Sequence, residues 1–97
     1  MTTNRRSAGN YYRIYSEIID RAYNQFIAAY NNLSEIDPDH QLTIDLHHEN
    51  FMKVWVVANQ WLHQIDETNF EHVCFQITFF IAAMSEIQEE LESWVDD

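Results

Sequence analysis

The chain has 97 residues, with sixteen Asp+Glu against five Lys+Arg, a formal net charge of −11. One Gly and one Pro leave little material for hairpins and none for a glycine-rich phosphate loop, which argues against a β-rich fold and a phosphate-cradling site. The length is that of one domain, and an acidic surface repels nucleic acid and anionic membranes while attracting basic protein surfaces.

The charge is unevenly spread. Arg5, Arg6, Arg13 and Arg21 stand in the first 21 residues beside only Glu17 and Asp20; from Ala22 onward there are fourteen acids and one base, Lys53. The single cysteine, Cys74, leaves no internal disulfide and fits a reducing compartment. Residues 1–10 are polar and show no leader pattern. The longest uncharged run, 72–85, has 14 residues, short of the roughly 20 that cross a bilayer, so a buried helix is expected there.

In chain order, residues 1–9 read as a disordered polar tail and 10–97 as a single helical domain, with Asn10 as the first N-cap. Tyr12, Tyr15, Ile19, Ala22, Phe26, Ala29 and Leu33 recur at steps of three and four and predict a helix over 11–34. Arg13, Glu17 and Arg21, spaced i, i+4, i+8, predict a salt-bridge ladder on its side. Residues 31–41 read as a connection, with Asp37-Pro38 as a turn or helix-start signal and room for a short extra turn at 38–41. Residues 42–46 alternate like a strand, but no second alternating run exists to pair with them. Ile44, Phe51, Trp55, Ala58, Leu62 and Ile65 predict a helix over 43–65, supported by the Glu49/Lys53 pair. Thr68 and Glu71 have capping-box spacing and start a third helix over 69–95. Its stripe runs unbroken through Phe70, Val73, Ile77, Phe80, Met84, Ile87, Leu91 and Trp94. The fold class is therefore all-α, an antiparallel three-helix bundle.

Several apolar residues fall off these stripes. Phe75, Phe79 and Ala82 point away from the third helix's core face, as do Met52 and Val56 on the second and Ile14 on the first. Such a patch marks an interface. Self-association as a homodimer through the third helix is preferred to a docking face for another protein. Tyr11 is expected to be the most exposed tyrosine and is the best interface candidate among the five.

Catalytic constellations are not found. His40, His47, His48, His63 and His72 include no i,i+3 or i,i+4 pair of the kind a helical metal site needs. His72 and Cys74 diverge by about 200° on a helix, so they form no thiol dyad. The clustered carboxylates sit on an open helix end, where they stay solvated rather than acquiring separated acid and base roles. No enzyme, metal or cofactor is expected. The candidate contact residues are instead the C-terminal acids Glu86, Glu89, Glu90, Glu92, Asp96 and Asp97, with Glu35, Asp37 and Asp39 as a second group.

In size, charge and helical character the chain resembles the small acidic phage-encoded inhibitors, the anti-CRISPR and DNA-mimic proteins. The resemblance is compositional and assigns no residue. It implies an inhibitor that blocks a basic nucleic-acid-binding surface of a CRISPR effector or another DNA-binding enzyme in a bacterial cytoplasm, with no direct nucleic-acid or membrane partner. Carboxylates one helical turn apart are spaced by about 6 Å along the axis, comparable to neighbouring phosphates on a strand. An immunity protein or antitoxin against a basic nuclease toxin fits the same composition. A structural helical adaptor, in which Phe75 and Phe79 are the functional feature, is the third reading.

Overall fold

Three helices account for most of the chain: α1 (Ala8–Ile36), α2 (Gln41–Leu62) and α3 (Phe70–Asp96), with a 3-10 turn at Pro38–His40 between the first two. The structure, a computed structural model, describes residues 8–96, with side chains described as far as Ser93. The expected tail at 1–7 lies outside the described residues.

The register is readable from the ring contacts. Tyr23 meets Trp55, Phe26 meets Phe51 and Tyr30 meets His48, so α1 and α2 are antiparallel. Tyr11 meets Phe70 and Tyr15 Oη lies 3.2 Å from Thr78 Oγ1, so α1 and α3 run parallel. Each helix packs on both others, in an elongated bundle of 58 × 19 × 16 Å.

The core repeats every seven residues. Ile19, Phe26 and Leu33 on α1, Ile44, Phe51 and Ala58 on α2, and Ile77, Met84 and Leu91 on α3 are all at most 1% exposed. This is one position of a heptad in each helix, the pattern of supercoiled helices. The same register stacks them as three layers of three: Ile19/Ala58/Ile77, Phe26/Phe51/Met84 and Leu33/Ile44/Leu91. In the middle layer Phe26 and Phe51 stack face to face at 3.9 Å and 7°. The alternate stripe positions, among them Tyr15, Ala29, Trp55, Phe80 and Ile87, are only half-buried and seal the layers from the side.

Helix ends differ from the expected ones, for identifiable reasons. α1 begins at Ala8, so Ala8 and Gly9 belong to the helix and Asn10 is inside it rather than its cap. Ala8 is 7% exposed and its N–H donates to Glu67 Oε1 at 3.3 Å, so a contact distant in sequence extends the helix. The Arg13, Glu17, Arg21 ladder does not close: among the described residues no ion pair within 4.0 Å joins them, whereas Lys53 and Glu49 do pair, at 3.4 Å. α2 ends at Leu62 rather than 65, where the His63 ring Nδ1 and backbone N–H both reach the Asn59 carbonyl, at 2.8 and 3.1 Å. The short extra turn appears as the 3-10 turn, with Pro38 in its first position.

The start of α3 corrects the capping-box reading. Thr68 and Glu71 do not bond reciprocally; Asp66 Oδ1 instead accepts from the Thr68 N–H (2.9 Å), the Thr68 hydroxyl (2.7 Å) and the Asn69 N–H (3.0 Å). Asn69 Oδ1 accepts in turn from the Asp66 N–H at 2.9 Å, and the Asn69 carbonyl takes the first helical bond, from Val73, at 3.0 Å. The Thr68 hydroxyl and then its backbone N–H hold the Asp66 carboxyl below the usual carboxylate range. A carboxyl depressed in the folded state stabilises it above about pH 4, the unfolded value, and loses that effect as pH falls through the folded one. Asp66→Ala is therefore expected to lower Tm by roughly 5 °C at pH 7, and Glu71→Ala by less than about 1 °C; thermal melts followed by circular dichroism compare the two.

Over Phe70–Ser93, α3 is long and apolar enough by length and composition to cross a membrane, with a mean hydropathy of 1.2 in its best window. Counting only its uncharged run understates this. In the bundle the helix turns Val73, Ile77, Met84 and Leu91 into the core.

Candidate protein-binding surface

The up-down-up course joins what the sequence separates. The C-terminus of α1, the turn after it, the first turns of α2 and the last turns of α3 all lie at one end of the bundle. His47 on α2 marks this junction, its Nε2 3.9 Å from Glu90 Oε1 on α3. Both predicted acidic groups, Glu35/Asp37/Asp39 and Glu86/Glu89/Glu90/Glu92, therefore share that end, together with Asp45 and Glu49. All are solvent-exposed except Asp37, which is half-buried. The Asp96 side chain and the whole of Asp97 lie outside the described residues.

The α3 acids do not form a single strip. Glu89 and Glu92 line a polar depression with Gln25 of α1, while Glu90 faces His47 of α2. Successive residues advance about 100°, so these four acids spread over an arc of about 160° rather than along one line. The field of this end is partly met from within the chain. Lys53 pairs with Glu49, and the His40 ring Nδ1 lies 2.9 Å from both Asp37 carboxylate oxygens. That contact raises the His40 pKa, Asp37 being the main cause. Its stabilising effect is present below about pH 6.5 and is lost as pH rises through the folded value.

Asp45 is held more firmly. Its Oδ1 accepts from the Tyr30 hydroxyl at 2.7 Å and from Gln41 Nε2 at 2.9 Å. These bonds, Tyr30 first, lower the Asp45 pKa, and the same contact with burial raises that of Tyr30. Tyr30→Phe is expected to move the Asp45 carboxyl back up toward the ordinary range; carboxyl NMR titration reads the shift directly.

Sequence reasoning passed over a second feature of this end. Leu42 is 88% exposed and Leu46 55%, one turn apart on the outer face of α2. The alternation at 42–46 was the visible signal: with Ile44 buried in a helix, its neighbours two positions away on either side turn outward. Ile36, at the end of α1, is also exposed. These apolar side chains stand among Glu35, Asp37, Asp39 and Asp45 in the chain.

The predicted interface residues divide into two places. Phe75, Phe79 and Ala82 line a groove with Thr78 on the outer side of α3. Met52 and Val56 line another, of about 810 Å³, with Tyr30, Asp45, His48 and Lys53. Tyr11 is half-buried and stacked on Phe70 at 5.1 Å, which removes it as the most exposed tyrosine; Tyr12, at 39%, is more open. His48 is half-buried with its ring 4.5 Å from that of Tyr30, and His47 Nδ1 lies 2.9 Å from the Thr43 carbonyl oxygen, so both are packing residues more than surface ones. Cys74 is buried, and burial pushes its thiol pKa up. Among the described residues no group of three or more His, Cys, Asp or Glu side chains is placed to hold a metal ion.

No protein-family model, curated protein or solved structure matches the chain.

Proposed function

We propose that the protein is an inhibitor that acts by occupancy, docking its acidic end on a basic, nucleic-acid-binding surface of a target protein. The observation that carries this reading is the convergence of acids from residues 35–49 and 86–92 at one end of the bundle, two stretches that contain no Lys or Arg. Carboxylates fixed on rigid helices meet Lys and Arg side chains that otherwise hold phosphates, and no bond is made or broken. Leu42 and Leu46 add apolar contact inside the acidic field, which a protein target rewards and a polyanion does not. The target class that follows from the resemblance is a CRISPR effector or another DNA-binding enzyme of a bacterial cell.

Capture on the immobilised protein tests this. The bound partner is expected to be a DNA-binding protein, to be released by duplex DNA, and to be lost as salt rises from about 0.05 to 0.5 M, where screening shortens to a few ångströms. A nuclease toxin recovered in the same way identifies the immunity-protein form of the mechanism. A partner that survives both high salt and excess DNA contradicts the reading.

A further inference from the structure

We infer that His47 and Glu90 form a proton-operated clamp: on acidification the His47 ring ties α2 to α3 and withdraws Glu90 from the acidic end. His47 Nδ1 lies 2.9 Å from the Thr43 carbonyl oxygen, and its Nε2 lies 3.9 Å from Glu90 Oε1. A carbonyl oxygen only accepts, so Nδ1 carries the proton of the neutral ring. Nε2 then presents a bare lone pair to a carboxylate, and two acceptors share no hydrogen bond. A second proton changes this. It adds an N–H at Nε2, the atom that approaches Glu90, and leaves the Thr43 bond in place.

The surroundings select Glu90 as the partner. His47 is half-buried, so a charged ring there needs a counter-charge. On α2 the positions three and four away are Thr43, Ile44, Asn50 and Phe51, none of them charged. The adjacent His48 turns about 100° away, and its ring lies against Tyr30 of α1. Among the described residues no α1 side chain pairs with His47 within 4.0 Å. On α3, Glu86 stands one turn before Glu90 and is the other acid to weigh. Glu90 is exposed, so its side chain is free to swing the roughly 1 Å that separates this approach from a charge-assisted bond of about 2.8 Å.

The clamp differs from the other close pairs. His40–Asp37 and Lys53–Glu49 each close within about one turn of the chain, whereas His47–Glu90 joins two helices. The bond that forms in acid therefore holds the last turns of α3 against α2. Its stabilising effect is present below about pH 6.5, the ordinary histidine value, and is lost as pH rises past it. The consequence for binding rests on the function proposed above. A Glu90 held by His47 is no longer offered to a basic target, so acid weakens the complex.

Thermal melts of the free protein test the clamp through a double-mutant cycle of His47→Asn and Glu90→Ala, at about pH 5.5 and about pH 8. Asn keeps a donor for the Thr43 carbonyl and is too short to reach Glu90. A coupling of about 1–4 °C in Tm is expected in acid and none at the higher pH. The same cycle with Glu86→Ala is expected to couple by less than about 1 °C. Coupling that is absent in acid, equal at the two pH values, or carried by Glu86 overturns the inference. The Kd of the captured partner reads the consequence: on the same change from high to low pH, wild type is expected to weaken about two- to fivefold more than His47→Asn. The cycle needs no partner, so its failure overturns the clamp whatever the acidic end binds. A clamp that forms while wild type and His47→Asn share one pH dependence of Kd overturns the withdrawal of Glu90 from the target.

Discussion

Phe51→Ala is expected to cost about 3–5 kcal/mol, the range for removing a buried aromatic ring. Phe51 is fully buried and stacked on Phe26 in the central layer, with Met84 completing that layer. α-helices joined by short turns cannot collapse around the missing ring without shifting the layers on either side, where Ile19, Leu33, Ile44 and Leu91 are equally buried. A domain this size holds about 5–15 kcal/mol in total, so the variant retains a fraction of its stability. Tm should fall by 15 °C or more. Phe75→Ala removes a ring of the same size from an exposed position and is expected to change monomer stability by less than about 0.5 kcal/mol. Urea unfolding of the two variants separates core from surface, and comparable losses would contradict the layer assignment. Because Phe26 and Phe51 touch, the double variant Phe26→Ala/Phe51→Ala should lose less than the two single losses combined.

The helices were legible because periodicity is a property of the chain alone. The three apolar stripes gave the helices, and the structure adds that burial is deepest at members seven apart, joined by Leu62 and Val73 where α2 ends and α3 begins. Helix ends were less legible, because they are set by contacts across the fold. Ala8 joins α1 through Glu67, which is 59 residues away. The turn that leads into α3 is held by Asp66, a residue outside the spacing that Thr68 and Glu71 share with a capping box. The same limit applies to the surface. Each acidic group was visible in sequence, but their meeting at one end follows from helix direction. Leu42 and Leu46 were hidden by a pattern that resembles a strand until Ile44 is placed in a helix core. Tyr11 was misjudged because the ring it stacks on, Phe70, belongs to another helix.

Charge reversal at Glu89, Glu90 and Glu92 to Lys carries the largest expected effect on function. The three acids lie near the C-terminal, negative end of the α3 dipole, where cations are favoured. Their only described polar contacts through side-chain oxygens are the long Glu90–His47 approach of 3.9 Å and a Gln88 bond to Glu92 of 3.3 Å. The fold should therefore survive and melt no lower than wild type. Binding to the target should weaken tenfold or more, at least about 1.4 kcal/mol, because three attractive contacts become repulsive ones.

Net charge by itself also steers acidic proteins toward basic ones, so the location of the reversal is what matters. Glu17, Asp20 and Glu71 are exposed acids toward the opposite end of the bundle, and their reversal to Lys changes the net charge by the same amount, from −11 to −5. The decisive measurement is the Kd of the captured partner for the wild type and these two triple variants, taken at one ionic strength with helicity checked for each. The account predicts a loss of tenfold or more for Glu89/Glu90/Glu92 and of less than about threefold for Glu17/Asp20/Glu71. Equal losses in the two variants, or none in the first, would contradict an acidic end that contacts its target directly.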